Sequence, residues 1–280
     1  MTSAEVAGAR RGDAAALRQN AKRSLIAILL RSRWTLGFIL PALLLCVWEA
    51  AVHAGILTTR MMPPPSRVIA TLAALAQTGE LSTHVGATLG RVLIGFVLGA
   101  GAGTLLGALT GASASMRRLV DPLIQSLRAV PSLAWVPLFI LWLGIFEGSK
   151  VALIAVGVFF PTYLGVMGAI TAIDRSLIDV GRMFCFSRWA MLRKIYLPAI
   201  APAWVLSLRS GLGLGFMFVV AAELMGASEG LGYLLIDGEQ LGKADQIIAA
   251  IVAFAVLGKI CDSLLMLAAA PLLRWQKGRR

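Results

Sequence analysis

The sequence predicts an all-α membrane protein of about six transmembrane helices, and three observations carry that expectation: composition, apolar windows and lopsided basic residues. Hydrophobic residues make up 58% of the 280-residue chain and charged residues 14%, with a mean hydropathy of +0.82. A soluble domain carries about 25% charged residues. With this little polar surface, lipid must be part of the solvent.

A bilayer core of about 30 Å takes about 20 apolar residues per helix. Six windows meet or approach this: Trp34–Ala54, Leu89–Gly111, Val120–Leu143, Val151–Ala172, Ala203–Met225 and Ile247–Leu267. The third holds Pro122, Pro131, Pro137 and Arg128. It is read as a kinked span, since proline removes a backbone donor and crowds the preceding turn.

Orientation follows from Lys and Arg in the connecting segments. The tail 1–33 holds Arg10, Arg11, Arg18, Lys22, Arg23, Arg31 and Arg33. Arg117 and Arg118 follow the second window, and Arg175, Arg182, Arg188, Arg193 and Lys194 follow the fourth. The closing tail, 273–280, adds Arg274, Lys277, Arg279 and Arg280. The other side has only Arg60, Arg67, Lys150 and Lys243. Both termini are therefore expected in the cytoplasm. The first window is too long and starts too late for a signal peptide, so it is read as an uncleaved helix. The tail before it is read as mobile or lying on the membrane surface.

The domain plan is thus a basic tail (1–33), a transmembrane domain (34–272) and a second basic tail (273–280). Within the domain, 55–84 is an outer interfacial segment and 173–202 the longest cytoplasmic loop. In the outer segment Pro63-Pro64-Pro65 forces an extended stretch, and Ser66 is read as the N-cap of a short interfacial helix through Gln77.

Inside the second window Gly95, Gly99, Gly103, Gly107 and Gly111 recur every four residues. That spacing strips one ridge of a helix of side chains and predicts close helix packing. Gly211, Gly213 and Gly215 have a period of two and suggest local flexibility. Charges in lipid are expensive and face a partner or an aqueous path. Lys259 and Asp262 are read as an i,i+3 pair, Glu49 and His53 as a local pair, and Arg91 as snorkelling near a helix end. Arg128, Arg209 and Glu223 are left as candidates for a translocation path, with a structural partner an equal alternative for the two arginines.

Enzyme signatures are absent. Two histidines, His53 and His84, make no zinc protease site, and Cys46, Cys185 and Cys261 have no metal or disulfide spacing. The two Gly-Lys pairs, at 242–243 and 258–259, lack the leading glycine of a phosphate loop, with Asp237 and Ala253 in its place. No metal site and no catalytic residue are expected, and ATP, if used, must bind elsewhere. The net charge of +12 lies in short inter-helix segments and not on an aromatic-studded face, which argues against nucleic acid.

The stretch IDRSLIDVGRMFCFSRWAMLRKIYLPAIAP, Ile173 to Pro202, resembles the cytoplasmic loop of permease subunits of bacterial type I ABC importers. Asp179-Val180-Gly181 fall on the family's Glu-Ala-Ala, Cys185 on its glycine, Ser187-Arg188-Trp189 on a Ser-Arg-Trp/Ala run, and Ile195-Tyr196-Leu197-Pro198 on its closing segment. Three departures stand out: Asp for Glu shortens the arm, Gly181 for Ala loosens the helix, and Cys185 for Gly is expected to forbid a left-handed turn. Further matches run from about Pro41 to Trp275, including Leu127–Pro137, Leu141–Ile145, Ala221–Leu224 and Gly230–Tyr233. They are similar to the nitrate, taurine and aliphatic-sulfonate branch, with Thr59-Arg60, Gly79-Glu80-Leu81 and Leu257-Gly258-Lys259 most like aliphatic-sulfonate permeases.

The resemblance implies a multi-pass inner-membrane homodimer with two cytoplasmic ATPase subunits and a periplasmic or lipid-anchored substrate-binding protein. ATP and Mg would bind the ATPases, and the loop residues Asp179, Val180, Gly181, Cys185, Ser187, Arg188, Leu197 and Pro198 would form the coupling helix. The binding protein would dock around Pro63–Pro65 and Ser228–Gly232. An aliphatic sulfonate is the leading cargo, with taurine, nitrate or an aromatic acid as alternatives. A stand-alone secondary transporter is the reading from another class, and it needs inverted halves that are not visible here.

Overall fold

Long apolar runs become long helices because a backbone in lipid must satisfy its own hydrogen bonds. The computed structural model describes residues 33–224 and 226–279, and contains no strand among them. The tail read as 1–33 lies, except for Arg33, outside the described residues. The chain divides after Arg67 into two units, described separately.

In the first unit, α1 spans Arg33–His53. Helix α2, Pro65–Gln77, begins at its end. Proline suits a first helical position, where its missing N–H costs nothing. Ser66 is therefore inside the helix and not its cap. Its backbone N–H and hydroxyl both donate to the Glu49 carboxylate, at 3.1 and 2.7 Å. Glu49 thus serves an orphan donor of the helix start, while His53 Nδ1 meets the Glu49 carbonyl at 2.9 Å.

The second unit is built on three long helices: α3 (Glu80–Ala112), α6 (Glu147–Thr171) and α9 (Leu197–Leu224). Helix α6 is the central one. Its Leu153, Ile154, Val158, Tyr163 and Val166 are almost wholly buried, with α3 on one side and α9 on the other. The glycines of α3 face it. A Cβ at Gly103 would stand 2.7 Å from the Phe159 carbonyl oxygen, and one at Gly107 2.7 Å from that of Tyr163. At Gly95 and Gly111 it would meet Ile154 and Ile170 at 2.6 and 2.9 Å. The opposite face of α3 exposes Ile94, Val97, Leu98, Leu105 and Leu109, as a lipid-facing surface should.

The third window is not one kinked span. Helix α4 runs Ala114–Arg128 and α5 runs Trp135–Leu143, joined by a 3₁₀ turn at Ser132–Ala134. Pro131 pushes Val130 out of the helical region and cannot donate to the preceding turn. The break falls there, and the helix runs unbroken through Pro122.

Helices α7 (Arg175–Met183) and α8 (Arg188–Met191) follow α6. A π-helical turn, Leu192–Tyr196, leads without interruption into α9. Pro198 and Pro202 therefore do not close a loop; they lie in the first turns of α9. Pro198 cannot donate to the Lys194 carbonyl, and the chain shifts to i→i−5 bonding just before it, with Leu197 N–H reaching the Leu192 carbonyl. Helix α10 (Leu231–Gln240), which hydropathy does not reveal, packs on α11 (Ala244–Ala269) through Leu231, Leu234, Ala250 and Leu257. A 3₁₀ segment, Ala270–Arg279, ends the described chain.

Four described helical stretches are long and apolar enough to cross a membrane: Glu80–Ala112, Glu147–Thr171, Arg188–Leu224 and Ala244–Arg274.

Candidate functional site

Two places in the second unit gather chemistry, at opposite ends of α9, and a third lies between them. At the α9 start stands the hairpin of α7 and α8. Asp174 caps α7 by accepting the Ser176 N–H at 2.9 Å, and that N–H holds its carboxyl below the ordinary carboxylate range. Ser187 caps α8 through Ala190 N–H at 3.3 Å.

Between the two helices the chain turns by a Schellman motif: Phe186 N–H bonds the Gly181 carbonyl at 3.0 Å and Cys185 N–H the Arg182 carbonyl at 2.9 Å. The motif requires a left-handed residue, and Cys185 supplies it with φ +51°. The expectation that cysteine forbids this turn is thus corrected: the hydrogen bonds of the turn outweigh a steric cost of about 1–2 kcal/mol. Cys185→Gly is accordingly expected to stabilise the hairpin by about 1 kcal/mol, read as slower amide exchange at Phe184–Phe186. Gly181 is not a loosened position either. It is buried, and a side chain there would run into Met191 and Ile195.

Asp179 and Arg182 pair at 3.3 Å on the surface. Around them Val180, Met183, Phe184 and Trp189 are exposed, Met183 at 83% and Trp189 at 69%. Arg188 caps no acid among the described residues, and Lys194 lies over the Phe186 ring at 4.8 Å. Leu197 is exposed and Pro198 follows it into α9. The hairpin therefore presents a basic, aromatic surface on a well-capped scaffold.

At the other end of α9, Glu223 is wholly buried. It accepts from Thr88 Oγ1 at 2.8 Å, Arg91 Nη1 at 2.7 Å and Gly232 N–H at 2.7 Å. Arg91 does not snorkel: it is 7% exposed and holds Glu147 through Nε and Nη2 at 2.6 and 2.9 Å. Its Nη1 also donates to the Glu229 carbonyl at 2.6 Å. Lys150 completes the set at 2.9 Å from Glu147, so it is a buried helix residue and not part of a loop. Two cations and two carboxylates balance. Gly230, at φ +129°, passes so close that a side chain would overlap the Glu223 carboxyl, and its N–H donates to His84 Nδ1 at 3.1 Å. The segment 226–232 is thereby tied to α3 and α9 directly, and to α6 only through Arg91 and Glu147.

The three path candidates fare differently. Glu223 is locked in this cluster with no exposed surface. Arg209 holds both oxygens of Asp262, at 2.6 and 2.9 Å, so Lys259, at 3.9 Å, is the lesser partner of that acid. A planar guanidinium matches a carboxylate at two points and an ammonium at one, which decides the competition. Arg128 has no ion-pair partner among the described residues, and it lines a cleft of about 360 Å³ with Trp135, Phe160, Leu214, Met217 and Phe218. Among the described residues no cluster of His, Cys, Asp or Glu could hold a metal.

Residues 95–273 match the family described as binding-protein-dependent transport system inner membrane component. The chain is 38% identical over 277 residues to SsuC of Bacillus subtilis (strain 168), named for aliphatic sulfonates transport, covering 99% of this chain and 98% of that one. To the taurine transport system permease TauC of Escherichia coli (strain K12) it is 30% identical over 244 residues, covering 83% and 89%. Its fold is similar to a solved chain of the MetNI methionine ABC transporter in inward-facing conformations, at TM-score 0.53 and 21% identity, covering 68% of this chain and 93% of that one. The family model over most of the chain and relatives across its whole length agree: the chain belongs to the binding-protein-dependent transport family, as an inner-membrane ABC importer permease of the branch whose relatives are named for sulfonates, taurine and nitrate, a subunit that is not itself an enzyme.

Proposed function

We propose that two copies of this chain form the pathway of an importer for aliphatic sulfonates, with both termini in the cytoplasm and ATP and Mg bound by two separate ATPase subunits. The observation that carries this reading is the hairpin 175–191. Solvent-exposed aromatic and long apolar side chains on a rigid, capped turn are costly in water unless a partner covers them. Asp179, Val180, Gly181, Cys185, Ser187 and Arg188 would thus seat in the ATPase, with Leu197 and Pro198 joining the seat to α9.

Helix α9 then transmits the motion. Its 28 residues span about 42 Å at 1.5 Å per residue, from the hairpin to Glu223. Force applied at the hairpin reaches the 226–232 segment through the Glu223–Gly232 and Arg91–Glu229 bonds. That segment is where a substrate-loaded binding protein would dock. The chemical class of the cargo rests on the higher identity and fuller coverage of the relative named for aliphatic sulfonates over the relative named for taurine.

Trp189→Asp tests the seat. It places a charge at the centre of the apolar surface without disturbing either cap, so co-purification of the ATPase is expected to fall at least about tenfold, while the permease itself stays monodisperse. Undiminished co-purification would overturn the assignment.

A further inference from the structure

We infer that the Arg128 cleft is a subsite for a monoanion carrying an uncharged apolar body, so that the permease itself favours alkyl or aryl sulfonates over taurine and nitrate. This rests on the reading of the chain as an anion importer and adds a selectivity of its own.

The cleft lies at mid-depth. Its wall on α6 runs from Val156 to Leu164, the middle of a helix spanning Glu147–Thr171. A guanidinium at that depth is costly without a counter-charge and marks a functional position. Arg209, Arg91 and Lys150 all have carboxylate partners; Arg128 has none among the described residues. It stands where Pro131 breaks the helix, at the C-terminal end of α4. Its fork of donors can meet two oxygens of a sulfonate or carboxylate at once.

The remaining walls set the selectivity. Phe160, Leu214, Met217 and Phe218 offer only apolar surface, Trp135 adds its ring, and none of the lining residues is acidic. The ammonium of taurine would be desolvated there with nothing to pair it. Nitrate satisfies the arginine but has no body to displace water from the walls. An alkanesulfonate uses both parts, and about 360 Å³ lies within the usual range for small-molecule sites, about 300–1,000 Å³. The Trp135 indole N–H, in the same wall, is buried without an acceptor. A modest turn of the ring toward a bound anion would give it one.

The test is titration calorimetry on the permease–ATPase complex in nanodiscs, without binding protein, using butanesulfonate, taurine and sodium nitrate. Butanesulfonate is expected to bind at least about tenfold more tightly than the other two. Arg128→Gln should weaken it by about tenfold or more, and Arg128→Lys should recover most of the loss, which separates missing charge from misfolding. Equal binding by the unmodified and Arg128→Gln complexes, equal binding of taurine, or a phospholipid that butanesulfonate cannot displace would overturn the inference. ATP-driven uptake of butanesulfonate by the full importer is measured alongside. Its absence for every anion would bring down the importer reading, whereas uptake together with Arg128-independent binding removes only the subsite.

Discussion

Arg91→Gln is expected to destabilise the folded permease by about 3–5 kcal/mol, because it strands a buried carboxylate. Glu223 is completely buried, and Arg91 is its only ion-pair partner among the described residues. The Thr88 hydroxyl and Gly232 N–H would remain, yet neither carries a charge. Removing Glu147 instead should cost less, since its own side chain is 59% exposed, yet still about 1–3 kcal/mol, since it is the ion-pair partner of the buried Lys150. Replacing Arg91 and Glu223 together by Leu should cost less than the sum of the single changes, as buried pairs often exchange for apolar groups with small loss. Thermal unfolding in mild detergent reads these variants and the two single Leu changes the sum requires. An Arg91→Gln protein as stable as the parent would show that the cluster does not hold the helix ends together.

The second large effect is a contrast in sign between two glycines of one helix. At Gly99 an added Cβ would overlap the Ala155 carbonyl and approach Val158 Cβ at 2.9 Å. A carbonyl of a buried helix cannot rotate away, so α3 and α6 must separate, at a cost of about 1–3 kcal/mol for Gly99→Ala. At Gly101, two residues on and turned away, nothing lies within 4 Å. Gly101→Ala should be neutral or stabilising by up to about 1 kcal/mol through backbone entropy. Equal unfolding temperatures for the two alanine variants would contradict the close approach of α3 to α6.

The glycine ridge is legible in sequence because its period of four needs no knowledge of the partner. The helix windows are legible for the same reason, being local in composition. Their ends are less so. Helix α3 begins at Glu80, nine residues before the apolar window, because Glu80–Thr88 is polar along the chain. In the fold Leu81, Val85 and Leu89 pack beside α10 and α11, and Thr88 spends its hydroxyl on Glu223.

The charge cluster was hidden by distance: Arg91 and Glu223 are 132 positions apart. A signal existed nonetheless. If successive spans alternate in direction, the starts of the second and fourth windows and the end of the fifth share one membrane face. Arg91, Glu147 and Glu223 sit at those three places, and a charge too costly to leave alone should find the others. The Cys185 turn was missed for a different reason. Residue preference argues against cysteine at positive φ, but the turn's two backbone hydrogen bonds are not visible in side-chain chemistry.

Transport by this permease requires force to pass from the 175–191 hairpin along α9 to the 226–232 segment. The most direct measurement is uptake of labelled butanesulfonate into proteoliposomes holding this permease with its ATPase and binding protein, compared with the permease alone. Uptake that requires ATP and all three components, and that Trp189→Asp abolishes, is the expected result. ATP-independent uptake by the permease alone would contradict it.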